Sequence, residues 1–350
     1  MSEKGKEIPI SRRDFLKASA VGAALVGGVG LARLRPDASP AGTLPPTQGG
    51  PDHEHGHDPH SPMANMAVGD VDPAVNGFDP SAILTDFDYG VPTTLPNGGT
   101  LREYTVVAAD KEIEVAPGVK FAAWTYNGRV PGPTIRCREG DRVRVRFINA
   151  GSHPHTIHFH GIHPANMDGV FEIVDPGKEF VYEFDAEPFG LHLYHCHTLP
   201  LKRHIHKGLY GGFIIDPKVD RPPARELFMM MNGFDTNFDG ENEVYAVNTV
   251  AFHYAKHPIQ IKVNELVRMY LINITEFDPI NSIHIHANFF NLYRTGTSLT
   301  PDAFTDTAMF AQAERGILEF KYKFPGRYMF HAHVSEFTEL GWMGIFEVVE

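Results

Sequence analysis

An internal repeat limits this chain more than any other feature. The stretches Arg142-Val143-Arg144-Val145-Arg146-Phe147-Ile148-Asn149 and Leu266-Val267-Arg268-Met269-Tyr270-Leu271-Ile272-Asn273 read as copies of one strand. Each copy is followed by a loop and a His-x-His pair, His158/His160 in the first and His284/His286 in the second. Each then runs, after a Pro/Phe-Gly turn, into another pair, His195/His197 and His331/His333. Duplication of one domain is the simplest account, with the boundary between Asp216 and Ala224. Strand signals begin near Arg102 and recur at roughly the 8–12-residue spacing of a β-sandwich. Gly 33 and Pro 27 favour turns and strands over long helices. The expected fold is all-β, with tandem sandwiches over 99–217 and 224–350, and 350 residues suffice for two separate cores.

The N-terminal third has a different character. Ser11-Arg12-Arg13-Asp14-Phe15-Leu16-Lys17 precedes a soft apolar run from Ala18 to Ala32, so residues 1–38 read as a twin-arginine-type export signal. The run is too short and too weakly apolar for a stable membrane span, an uncleaved anchor being the alternative reading. The expected location is periplasmic or extracellular, with cleavage between Ala32 and Ala41. Residues 39–98 read as an irregular arm. It carries His53-Glu54-His55-Gly56-His57-Asp58-Pro59-His60, a tract that either scavenges metal or is simply solvated. Irregular backbone gives no fixed geometry, so these histidines stand apart from the site. A net charge of -12 leaves no basic surplus for a nucleic-acid partner.

Twenty histidines against two cysteines argue against a disulfide framework and point to metal, pH sensing or a tag. That many histidines give roughly one His-x-His by chance. Four pairs at matching places in two halves do not arise that way. Alternate residues of a strand share a face, so each pair presents two imidazoles side by side. Eight imidazoles meeting at the interface of the two domains suit three copper ions. Strand parity separates a second site. Cys196 points away from His195 and His197, and His155 has the opposite parity to His158 and His160, so Cys196 and His155 can meet on the core side of the first domain. A third ligand comes from the following loop, where His206 competes with His204 and the spacing to Gly208-Leu209 favours His204. Thiolate plus two imidazoles is the blue-copper set. Leu209 then takes the axial place, and an apolar axial residue raises the potential.

His155-x2-His158-x-His160-Gly161, and His195-Cys196-His197 with His204 and Gly208-Leu209 downstream, resemble the copper motifs of multicopper oxidases over residues 100–350. The resemblance implies tandem cupredoxin-like Greek-key sandwiches. It places His158 and His284 on type 2 copper, and His160, His195, His197, His286, His331 and His333 on the type 3 pair. His155, Cys196 and His204 would hold type 1 copper. The second half departs from the pattern: Ala332 stands for the cysteine, Asn281 for the upstream histidine and Phe337 for the loop histidine. It therefore resembles two-domain members with type 1 copper in domain one only, which implies about four coppers per chain and a homotrimer with clusters between subunits. The implied reaction couples one-electron oxidation of a phenol-type donor, or of cuprous or ferrous ion, to reduction of dioxygen to water. Asp168 resembles the family's carboxylate beside the cluster; Glu336 and Glu339 are further proton-handling candidates, each also readable as a surface carboxylate.

Two rivals remain at this stage. A copper nitrite reductase needs a mononuclear type 2 site with about three histidines, fewer than are present. A non-enzymatic copper-binding or electron-transfer protein leaves the paired histidines unused. Met229-Met230-Met231 reads as a buried strand in preference to a metal contact. Cys137 reads as structural and unpaired, and His153, His163, His192, His253 and His257 as supporting or surface residues.

Overall fold

A computed structural model describes residues 67–350. The twin-arginine segment and the His53–His60 tract lie outside the described residues. Two β-sandwiches follow one another. In the first, one sheet runs in the order Phe87–Asp88, Thr134–Arg138, Tyr210–Asp216, Gly190–His195, His158–Phe159. The facing sheet holds Val91–Thr94, Thr100–Ala116, Arg142–Asn149 and Glu179–Asp185, with Val119–Tyr126 paired to Thr100–Ala116. Val143, Val145 and Phe147 point into the core that also holds Cys196, while Arg142, Arg144 and Arg146 point out. Those three arginines meet Asp185, Glu183 and Glu179 on the neighbouring strand. The alternation and the cross-strand charge pairs fix one register, because a one-residue slip would bury the arginines.

The second sandwich repeats the plan with Arg225–Phe234, Val244–Val247, Val267–Asn273, Phe290–Arg294, Ala303–Thr305 and Arg315–Phe320 in one sheet. Ile259–Lys262, Ile280–Ile285, Thr307–Ala311, Gly326–His331 and Met343–Val349 form the other. All seven residues of Val267–Asn273 are buried. The cause is cover on both faces. Val267, Met269 and Leu271 enter the second sandwich's core. Tyr270 and Ile272 join a separate cluster with Leu191, Leu193 and Ile214 of the first sandwich. The methionine run divides the same way, Met229 and Met231 inward and Met230 toward the first sandwich, each with no exposed surface. Arg136 seals the join: its guanidinium donates to Asp216 at 2.8 Å and to Glu226 at 2.7 Å.

One expectation needs correction. The 39–98 arm is not irregular over its described part. Pro73–Asn76 and Pro80–Ile83 are single helical turns, each started by an aspartate cap, Asp72 and Asp79, with proline in the first turn. Asp-Pro reads as a breaker in sequence, yet it is a good helix start because the missing proline N–H is one the helix could not use. Ile83 and Leu84 are buried, Leu84 accepts the Phe228 amide at 2.8 Å, and Phe87–Asp88 and Val91–Thr94 join the sheets of the first sandwich.

Candidate metal centres

The strand Gly190–His195 carries the chemistry of the first sandwich on both its faces. Tyr194 and Cys196 lie in the core, and Leu191 and Leu193 lie on the side toward the second sandwich. The Cys196 amide donates to the Leu209 carbonyl at 2.9 Å, which fixes the residue just past the strand end. His155 is held by reciprocal backbone bonds with Val174, both 3.0 Å. His204 comes from the short helix Leu201–His206. These three side chains converge. Cys196 Sγ lies 3.2 Å from His204 Nδ1 and 3.9 Å from His155 Nδ1, and the two Nδ1 atoms are 3.2 Å apart. All are buried, and the thiol also receives the Thr156 amide at 3.4 Å. Leu209 has no exposed surface and packs in the same core as Cys196.

His206 is not part of this group. Its Nε2 accepts the Asp235 amide at 3.1 Å, and its ring packs edge-on against Phe121 and Phe277. Of the two histidines that compete in sequence, His204 is the one whose ring lies beside Cys196 and His155. Trp124, which sequence reasoning missed, packs against His153, His155 and His204 at 4.7–5.1 Å between ring centroids.

On the other face, the histidines form two quartets with the same register. His158 stands opposite His195, and His284 stands opposite His331. Around His158 the rings of His160, His195 and His197 lie 5.1, 5.2 and 5.4 Å away. Around His284 those of His286, His331 and His333 lie 5.0, 5.5 and 5.4 Å away. The Nε2 atoms of His160 and His195 are 3.2 Å apart, and those of His286 and His331 are 2.9 Å apart. Four rings are oriented through Nδ1 by carbonyl oxygens: His158 by Asp168, His195 by Cys196, His284 by Asp306 and His331 by Ala332. An Nδ1–H held this way leaves the Nε2 lone pair for the interior, the arrangement that orients metal-ligating imidazoles. Sequence reasoning also missed a matched pair of hydroxyls. Thr156 Oγ1 accepts the His197 amide at 3.0 Å, and Ser282 Oγ accepts the His333 amide at 2.8 Å. Each sits two residues before the leading histidine of its quartet, a repeat readable by aligning the halves.

The residues present suit a soft-to-borderline cation. Three groups each bring their ligand atoms within 4.8 Å of one another: His155/Cys196/His204, His158/His160/His195 and His284/His286/His331. Metal–imidazole bonds of about 2.0–2.1 Å span such gaps. His155 Nε2 is buried without a hydrogen-bond partner, so this ring's polar business is done through Nδ1, toward the thiol. Burial pushes His155, His195 and His204 down to about 4 and His160 to about 2, which keeps these nitrogens unprotonated at neutral pH. Burial likewise pushes the Cys196 thiol up.

Of the carboxylates, Asp168 lies beside the first quartet. Its Oδ1 lies 3.2 Å from His158 Nδ1 and 3.8 Å from His163 Nε2, in an open cleft shared with His160. The turn beneath it requires Gly169, which has φ +73 and where a Cβ would sit 1.8 Å from the Ile157 carbonyl oxygen. Glu336 and Glu339 are exposed on the helix Ser335–Glu339. The side chain of that helix that reaches the His331 ring is Thr338, with Oγ1 3.3 Å from Nδ1.

The second sandwich fills the place of the thiol pocket with packing. Ala332 donates its amide to the Trp342 carbonyl at 3.2 Å, as Cys196 does to Leu209. Phe337 stacks on Tyr245 at 3.9 Å, and Asn281 donates to Thr275 Oγ1. Within the described part of one chain the two quartets stand apart. Among the described residues, no ring contact and no ligand group joins one quartet to the other.

Residues 108–220 and 220–350 each match a multicopper oxidase family model, and residues 9–28 match a twin-arginine translocation signal sequence, so the chain carries an export signal. No helix among the described residues is long and apolar enough to cross a membrane. A crystal structure of a multicopper oxidase is 57% identical, with a TM-score of 0.79, covering 80% of this chain and 100% of that one. The blue copper oxidase of Nitrosomonas europaea is 29% identical with a TM-score of 0.64, covering 71% and 86%. A copper-containing nitrite reductase of Neisseria meningitidis serogroup A is 30% identical over 64% of this chain. The chain spans 63% of that relative's length, and 62% and 50% of two further copper-containing nitrite reductases.

Proposed function

This chain belongs to the multicopper oxidase family, and on that footing we propose that it couples one-electron oxidation of a small reducing substrate to the reduction of dioxygen to water. The observation that carries the reading is the doubled quartet. His158 faces His195 and His284 faces His331 in one register, while Cys196 turns to His155 and His204 on the opposite face.

In this reading His155, Cys196 and His204 hold type 1 copper, His158 and His284 type 2, and the remaining six histidines the type 3 pair, about four coppers per chain. Bound there, copper supplies one-electron redox chemistry and a multinuclear seat for dioxygen. The protein's part is geometric. Cys196 is bonded through the main chain to His195 and His197, so thiol pocket and quartet share one short covalent route. Leu209 closes the pocket without offering a donor atom. Asp168 takes protons from solvent at its carboxylate and delivers them into the open cleft that it shares with His158 and His160.

The separation of the quartets within one chain supports completion by a second copy. Ring closure of such a head-to-tail contact in a homotrimer sets the first quartet of one copy against the second quartet of the next. Exposed apolar residues flank both: Ile162, Phe171 and Leu199 beside the first, Phe289, Phe304 and Phe324 beside the second.

The test is copper analysis with an absorption spectrum and oxygen uptake on the purified, copper-loaded protein. The reading requires about four coppers per chain, an intense thiolate-to-copper band and dioxygen consumption with a phenol or cuprous ion. The nitrite reductase relatives favour a second reading. Nitrite-dependent formation of nitric oxide, with about two coppers per chain, would establish that reading instead.

A further inference from the structure

A cluster of imidazoles and carboxylates lies away from both quartets and the thiol pocket. The helix His253–Lys256 is one turn long, and the His257 amide closes it by donating to the His253 carbonyl at 2.8 Å. The two rings therefore stand on one face, 4.6 Å apart at 33°. His253 is 5% exposed, with Nε2 2.7 Å from Ser81 Oγ and 3.8 Å from Asp79 Oδ1. His257 Nε2 lies 2.7 Å from Asp70 Oδ2. One ligand atom from each of Asp70, His253 and His257 falls within 4.8 Å of the others.

We propose that Asp70, His253 and His257 form a further cation site, taking a borderline divalent ion such as zinc or cupric copper, which clasps the segment around Asp70 to the second sandwich. Histidines one helical turn apart are a recurrent metal-binding pair, and a carboxylate oxygen completes an N,N,O set suited to such ions. Bonds of about 2.0–2.2 Å place neighbouring ligand atoms of a tetrahedral ion about 3.3 Å apart. The Asp70–His257 pair, at 2.7 Å, needs to open by about 0.6 Å to admit one. The supports are rigid. Tyr254 hydroxyl donates to the Pro80 carbonyl at 2.7 Å and itself receives Asn248 Nδ2 at 2.9 Å. Asp79 adds a second negative charge beside His253, offsetting the charge of the ion. Burial pushes His253 down to about 4, so this ring offers a free lone pair at neutral pH. An exposed Asp–His pair contributes little to stability unaided, whereas an ion bridging chain segments 183 residues apart would contribute much more.

The experiment uses the full chain with its copper loaded, titrated with zinc sulfate. Equilibrium dialysis counts bound zinc, thermal melting follows stability, and oxygen uptake is the control. His257→Gln and Asp70→Asn change half-exposed side chains, so folding is retained. The native chain should melt higher as zinc is added. Each variant should lose about one zinc per chain, weaken that site by about tenfold or more and abolish the melting shift, with oxygen uptake unchanged. A native chain whose melting ignores zinc overturns the proposal. So do variants that bind and melt like the native chain: the zinc would then sit elsewhere, as on the His53–His60 tract.

Discussion

Cys196 Sγ and His204 Nδ1 lie 3.2 Å apart in a pocket from which solvent is shut out. A thiol held protonated by burial must give up that proton when a cation enters. Cys196→Ser removes the sulfur and keeps the shape. The variant should lack the visible thiolate band and bind about one copper fewer. Its donor-driven oxygen uptake should fall by roughly three orders of magnitude, about 4 kcal/mol of barrier. Retention of the band would show that another sulfur is responsible.

Leu209→Met changes the proposed axial residue with little change in volume. Leu209 is fully buried, and such a swap costs under about 1.5 kcal/mol. The thioether can donate where the leucine cannot, so the oxidised centre is stabilised and its potential should drop. A redox titration followed at the visible band checks the sign.

Restoring one ligand should not restore a site in the second sandwich. In Ala332→Cys the positions that match His204 and His155 still hold Phe337, stacked on Tyr245, and Asn281, bonded to Thr275, so no matching imidazole joins the new thiol. The expected outcome is no second visible band and a loss of about 1–3 kcal/mol from overpacking, read by denaturant titration.

Asp168→Asn keeps the shape of the cleft and removes the carboxylate proposed to transfer protons. Oxygen turnover should fall about a hundredfold, with copper content and donor KM nearly unchanged and the pH profile altered. A turnover equal to that of the native chain would return Asp168 to the role of a turn residue.

Copper-free protein should be acid-sensitive. Burial lowers His155, His192, His204 and His206 from 6.5 to about 4. Below 6.5 the unfolded chain gains protons that the folded chain refuses, so stability present above that pH is lost progressively down to about 4. The slope is at most about 1.4 kcal/mol per pH unit for each such group. Copper on the ligand histidines should shift the loss to lower pH. Melting curves of apo and loaded protein from pH 7 to pH 4, about the range of imidazole titration, measure both.

Residue parity was enough to read the two-sided strand around Cys196 and the doubled histidine pairs. Alternation is a local property, fixed by the backbone. What the chain keeps hidden is set by distant partners. His204 and His206 share a helix turn, and Asp235 and Phe277, supplied by the second sandwich, hold His206 apart from it. Trp124 reaches the thiol pocket from a strand 72 residues before Cys196, with no periodic signal to announce it. The early helical turns escaped because Asp-Pro signals both a helix start and a loop. The thiol pocket of the second half, by contrast, was legibly absent: Asn281, Ala332 and Phe337 are all buried where ligands would stand.

The sheet carrying Tyr270 and Ile272 belongs to two interiors at once, and Arg136 is locked into carboxylates from both sides of the join. Swivelling one sandwich against the other would tear open a packed interface, which has no intermediate stops. In the proposed assembly each copy is a stiff bracket with one quartet on each sandwich. Such a part would leave no angular tolerance to its neighbours: the proposed ring would close at one size, and each socket would form only where that closure brings the ends together.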